Sequence, residues 1–272
     1  MKNNAYFSLA PVFVLSALCS ACASPPPGTP QSRFSELRYS YTIPLYPEQP
    51  SNSPALELTM NLVGMNFPAQ EAEFFHSILY SGDSPETYRD RVVNEQTLNY
   101  RRTLAGLDSS ETKDWSNLNW HYTERVIVNG AENEGIVAER VLDTYVGGAH
   151  GQSARKYYLL DLNSLKPVTI NDLFENYHDP RIKAIIYDAL RTYGNLAKGQ
   201  SLPEGGFFSD EPELTENFYV TAQGFGLYWN QYEIAPYAMG SIDLLIPWRD
   251  IRPRMLHSGM ELLTKFKIYL FM

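Results

Sequence analysis

Three stretches of the chain, residues 118–128, 136–146 and 154–162, are rich in β-branched and aromatic residues set among polar ones, with a short gap between each and the next. Such segments read as strands, and gaps this short join antiparallel neighbours, because a parallel crossover needs a dozen residues or more. Asn129 and Gly130 form the strongest hairpin signal in the chain, since both residue types tolerate the positive φ of a tight turn. Residues 38–46 and 55–63 make another strand pair around a proline-rich turn at 47–54, and residues 218–221, 226–229 and 241–246 read as closing strands. Residues 68–79 carry apolar positions at helical spacing, and Asp83, Ser84 and Pro85 supply the start of a second helix running to about Leu104. A helical turn at 171–174, a helix from Pro180 to about Ala197 and a last helical stretch at 255–266 follow. The pattern predicts an α+β fold, a mainly antiparallel sheet flanked by helices in two lobes, without βαβ repeats.

The chain has 272 residues, 44% of them hydrophobic, enough for one large core or two modest ones. Its formal charge of −9 and the lack of any clustered basic face exclude nucleic acid as the expected partner. Both cysteines, Cys19 and Cys22, lie near the N-terminus, so the rest of the chain contains no disulfide and depends on packing. Lys2, an apolar run from Tyr6 to Leu18 and small residues from Ser20 to Ser24 read as a secretory signal, with a run too short to span a bilayer.

Cys19, Ser20, Ala21 and Cys22 resemble a bacterial lipobox, with Cys22 as the lipidated residue, residues 1–21 as the signal peptide and Cys19 where the pattern usually has Leu. A second reading takes Ala21, Cys22 and Ala23 as a cleavage site before Ser24, which yields soluble export instead. The proline-rich linker at 22–36 then lifts the folded part from the membrane, placing the protein in the bacterial cell envelope outside the cytoplasm.

Two segments stand out as binding loops: Tyr145, Val146, Gly147, Gly148, Ala149, His150, Gly151, and the run from Tyr232 through Pro236 and Tyr237 to Gly240. Gly147, Gly148 and Gly151 permit positive φ and bare backbone amides, and His150 adds a tunable donor. The same glycines equally suit a tight turn between strands, and both readings stand. Tyr228, Trp229, Tyr232 and Tyr237 suit either a stacking platform for a sugar or protein partner, or core packing. Pro236 fixes a turn between them. Neither segment spells a catalytic motif. A competing enzyme reading has Asp143 orient His150 as a base, with Ser153 the nearby hydroxyl. Glu73 and His76 have helical metal-ligand spacing in a single copy, which reads as surface decoration, and no metal or cofactor is expected.

The segment 145–151, the run 161–174 with Asp172, Leu173 and Phe174, and the segment 232–240 followed by Ile246 and Pro247 resemble the RsiV-like extracytoplasmic family. That family includes the lysozyme-sensing anti-sigma factor RsiV and the non-catalytic N-terminal region of PdaC-like peptidoglycan deacetylases. The resemblance implies a PdaC-like part at 37–146 and an RsiV-like part at 147–272, together an envelope-tethered binding module. It implies a lysozyme-like protein or a peptidoglycan fragment as partner, held through Tyr145, Gly147, Gly148, His150, Gly151, Tyr232, Pro236 and Tyr237. With neither an anti-sigma segment nor a deacetylase domain in the sequence, sigma-factor signalling and deacetylation are not carried over. The expectation is a binding protein, with a peptidoglycan-acting hydrolase or deacetylase built on His150 and a nearby carboxylate as the alternative.

Overall fold

A computed structural model describes residues 33–106, 116–131, 134–197 and 199–266. The first part is a six-stranded sheet in chain order. Strand β1 (Phe34–Pro44) pairs antiparallel with β2 (Ala55–Met65), and helices α1 (Ala69–Leu79) and α2 (Pro85–Thr103) follow. The chain then adds β3 (Trp120–Ala131), β4 (Gly135–Tyr145), β5 (Gln152–Asp161) and the short β6 (Lys166–Pro167), all antiparallel to their predecessors except β3. Strand β3 lies parallel to β2, with Leu56 beside Trp120. This one parallel pair sits in an otherwise antiparallel sheet without βαβ repeats: the two helices between β2 and β3 form a single long crossover, and that length permits a parallel neighbour.

Strand alternation decides what this sheet buries. Leu56, Leu58, Met60 and Leu62 of β2 and Trp120, Tyr122 and Val126 of β3 face the helices, packing against Phe75, Leu79, Tyr88, Val92 and Tyr100. Glu124 belongs to the same inward row and is fully buried. Its carboxylate accepts hydrogen bonds from Tyr88 Oη (2.9 Å) and Tyr122 Oη (2.6 Å) and pairs with Arg140 Nε at 2.6 Å. Each oxygen is thereby engaged, the condition under which a buried carboxylate is tolerated. Burial and the Glu124 charge push the Tyr88 and Tyr122 hydroxyls well above the usual tyrosine range, so both stay protonated as donors.

The second part holds α3 (Ile170–Leu173), α4 (Pro180–Tyr193), a three-stranded antiparallel sheet of β7 (Phe218–Val220), β8 (Gly224–Trp229) and β9 (Ile242–Pro247), then α5 (Trp248–Ile251) and α6 (His257–Thr264). All of β8 is buried. Its neighbours form a second core around Phe174, Ile186, Leu190, Phe225, Trp229 and Ile251, which Leu159 of β5 joins from the first sheet.

Two local readings change. At Asn129 and Gly130 β3 does not turn: the register slips between Val128 and Gly130 in a bulge, and pairing resumes with Gly130 opposite Val137 and Ala131 opposite Ile136. Helix α4 stops at Tyr193, where Gly194 caps it and Asn195 takes φ +54°. The division drawn between residues 146 and 147 falls in the connection between β4 and β5, which pair from Gly135 opposite Asp161 to Thr144 opposite Gln152.

Candidate functional site

The β4–β5 connection folds back on itself through its glycines. At Gly147, φ is +86° and a Cβ would sit 2.8 Å from the Asn117 carbonyl oxygen. Gly148 has φ +93° with open space around it, while a Cβ on Gly151 would come within 2.7 Å of the Thr144 carbonyl. Positive φ favours glycine at both Gly147 and Gly148, crowding bars a side chain at Gly147 and Gly151, and Gly148 alone has open space around it. Tyr145 Oη lies 3.0 Å from Asn117 Oδ1 and 3.1 Å from the Gly148 carbonyl, which fixes the loop from below.

What brings the second loop to this one is the edge of β5. Strand β6 covers only Leu160 and Asp161, so the N–H groups of Ser153, Arg155 and Tyr157 need other acceptors. Amide side chains supply them: Gln231 Oε1 accepts from Ser153 N (3.0 Å), Asn230 Oδ1 from Arg155 N (2.6 Å) and Asn217 Oδ1 from Tyr157 N (2.9 Å). Asn217 Nδ2 also donates to the Arg155 carbonyl at 2.7 Å, so one carboxamide replaces a peptide unit of a neighbouring strand.

With residues 230 and 231 anchored there, the two loops meet. The His150 ring stacks on Tyr237, centroids 3.7 Å apart and 17° between planes. Tyr232 lies beside both, at 6.3 Å from His150 and 5.8 Å from Tyr237. His150 Nδ1 is 3.0 Å from the Gly151 carbonyl, which can only accept, so in the neutral ring Nδ1 carries the proton and Nε2 faces the Tyr232 hydroxyl at 3.4 Å. Tyr232 has φ +68° and is 51% exposed. Pro236 precedes the single turn that carries Tyr237. Tyr228 and Trp229 are buried and belong to the core, Trp229 Nε1 donating to the Glu213 carbonyl, so the aromatic surface is carried by Tyr232 and Tyr237.

Beside Tyr237 lies a cleft of about 280 Å³, floored by His121, Thr123, Asp143 and Ser153 of the first sheet and walled by Gln231. Ser153 Oγ donates to Asp143 Oδ1 at 2.6 Å and Arg125 Nη2 pairs with Asp143 Oδ2 at 2.8 Å. The Asp143–His150 pairing that the enzyme reading requires is replaced by these contacts. A larger hollow of about 480 Å³ between α3 and α6 is lined by Asn171, Asp172, Glu261 and Lys265 and contains none of the two loops' residues. Hydroxyl, amide and aromatic groups converge in the smaller cleft, the mixture that orients a polar ligand.

Sequence reasoning missed Glu124 and the three amides. Glu124 was detectable in principle, since an acid between Tyr122 and Val126 on an inward row must be partnered. Asn217, Asn230 and Gln231 carry no such mark, because polar amides are ordinary in loops. Among the described residues no group of acidic, histidine or cysteine side chains is placed to hold a metal ion, and no helix is long and apolar enough to cross a membrane. The signal, lipobox and Cys22 readings lie outside the described residues.

Comparison with known proteins extends the picture. Peptidoglycan-N-acetylmuramic acid deacetylase PdaC of Bacillus subtilis is 21% identical over 170 residues, 62% of this chain, and the match spans only 35% of that relative's length. The crystal structure of a DUF3298 family member from Bacteroides fragilis superposes with TM-score 0.71 at 20% identity, covering 84% of this chain and 94% of the other. A DUF3298 family protein from Pseudomonas aeruginosa gives 0.53 at 16% identity, covering 83% and 95%. Residues 171–249, from α3 into α5, match the model of a protein family of unknown function, DUF3298.

Proposed function

We propose that this is an exported, lipid-anchored binding protein of the bacterial cell envelope, of the RsiV-like kind, which recognises a wall glycan or a glycan-cleaving protein such as lysozyme. The observation that carries the reading is the convergence of the 145–151 and 232–240 segments at one polar cleft, through the His150–Tyr237 stack. Similarity to a relative whose name specifies peptidoglycan N-acetylmuramic acid supports the substrate side, and the lipobox at Cys22 supports the location. Aromatic faces beside hydroxyls and amides suit both sugar rings and a protein surface.

Calorimetric titration of the protein with lysozyme and with muropeptides tests the proposal. Binding of one class, weakened about tenfold or more by Tyr237→Ala, is the expected result, since buried or stacked aromatic anchors dominate such contacts. Silence toward both ligand classes would remove it. Acetate or sugar release from purified peptidoglycan is expected to stay at background, because Asp143 is committed to Ser153 and Arg125 and leaves His150 without an orienting acid.

A further inference from the structure

The outward face of the first sheet carries a row of short polar side chains that leads into the cleft. On β1 the residues opposite to the core-facing set are Glu36, Arg38, Ser40 and Thr42, all exposed. The pairing registers then place Ser40 beside Thr59, Thr59 beside Thr123, Thr123 beside Asp143, and Asp143 beside Ser153. Five strands thus contribute one short hydroxyl or carboxylate each, along a line of four inter-strand steps, about 19 Å in all. The rows on either side are longer: Glu57 and His121 flank it on one side, Asn61 and Arg125 on the other. Side-chain length makes the row a shallow trough across the strands, and from Thr123 onward it runs into the cleft that Gln231 and Tyr237 line at the β5 end.

We propose that this trough holds a linear β-1,4-linked polysaccharide strand, lying across the sheet with one end against the Tyr237 wall. The proposal rests on the glycan half of the function given above and commits that site to a polymer. Hydroxyls both donate and accept, and they recur here at the strand spacing of about 4.8 Å, close to the repeat of an extended sugar chain, whereas an extended peptide repeats on one face at about 7 Å. Arg125 offsets the charge of Asp143, so the floor offers hydrogen bonds without a net field that would select an ion. The overall charge of −9 disfavours a polyanion such as nucleic acid in the same place.

The test is calorimetry on the full-length chain with N-acetylglucosamine oligomers, β-1,4-linked, from the dimer to the hexamer. Affinity should rise with each added ring and level off after roughly four steps, the width of the row. Thr59→Val keeps the β-branched shape and should lower hexamer affinity about three- to tenfold, the worth of a neutral hydrogen bond or two, while dimer affinity stays unchanged. Tyr237→Ala should weaken every oligomer. Circular dichroism and Tm confirm that each variant is folded. Equal affinity for dimer and hexamer, or a hexamer indifferent to Thr59→Val, would overturn the polymer trough and leave the cleft as a small glycan site. Lysozyme binding with no oligomer bound would overturn the trough and leave a protein partner, and absence of both would overturn the function itself.

Discussion

Tyr232 pays for its position. A left-handed backbone costs an L-residue about 1–2 kcal/mol, and a large aromatic at φ +68° is the kind of outlier that glycine would relieve. Nothing in the turn requires the ring, since among the described residues its one polar contact is the 3.4 Å approach to His150 Nε2, and half of the residue is exposed. Such strain is retained where the side chain is used. Tyr232→Gly is therefore expected to raise stability by about 0.5–1 kcal/mol, the relief of strain less the extra chain entropy of glycine in the unfolded state. The same change should weaken ligand binding, and urea denaturation beside calorimetry reads both. A variant that binds as the wild type does would show that the ring serves only the loop.

At the scale of elements, the open edge of β5 is the feature on which the site depends. Asn217 is 6% exposed and satisfies both an N–H and a carbonyl of that edge. Asn217→Leu keeps the size, but leaves Tyr157 N and the Arg155 carbonyl without partners, at an expected cost of about 2–4 kcal/mol. Gln231→Ala, at the half-exposed cleft wall, should cost about 1 kcal/mol or less. Denaturant midpoints distinguish the two, and a smaller loss for Asn217 than for Gln231 would refute this account of how the edge is covered. Much of this level was legible in the sequence: β1, β2, α1, α2, β5 and the closing strands fall where alternation, helical spacing and the Ser84–Pro85 cap put them. Neighbour relations were not. Alternation tells which face of β3 is buried but not that β2 lies parallel beside it, and a two-residue turn signal such as Asn129–Gly130 is overridden when pairing beyond it buries Ile136. The two binding segments were legible by composition alone. That His150 would stack on Tyr237, 87 positions later, depends on amide side chains whose role appears only once the β5 edge exists.

For the molecule as a whole, the second part is tied to the first at both ends of β5. At one end the Gln231 and Asn230 amides hold the loop that carries Tyr232 and Tyr237; at the other, Asp161 receives Lys265 Nζ from the residue capping α6, at 2.9 Å. Asp161 is 4% exposed. Burial alone would raise the carboxyl pKa, yet hydrogen bonds from Lys265, Ser164 Oγ and the Asn163 N–H outweigh it and hold the pKa below the ordinary aspartate value. A carboxyl with a depressed folded pKa contributes stability that is fully present above its unfolded value near 3.9 and is lost as pH falls through the folded value. Removing the cation shifts the balance: in Lys265→Met burial acts with less opposition, the pKa moves up toward the unfolded value, and the ionised carboxylate contributes less stability near neutrality, with less of it left to lose in acid. The variant is expected to lose about 2 kcal/mol near neutrality, to unfold in acid at a higher pH than the wild type, and to lose part of that excess when pH is lowered toward 3. Acid titration followed by circular dichroism reads the midpoint. An unmoved midpoint would mean that Asp161 is held by Ser164 and Asn163 alone and that α6 is fastened by Leu263 and by Phe266 just after it, without the ion pair.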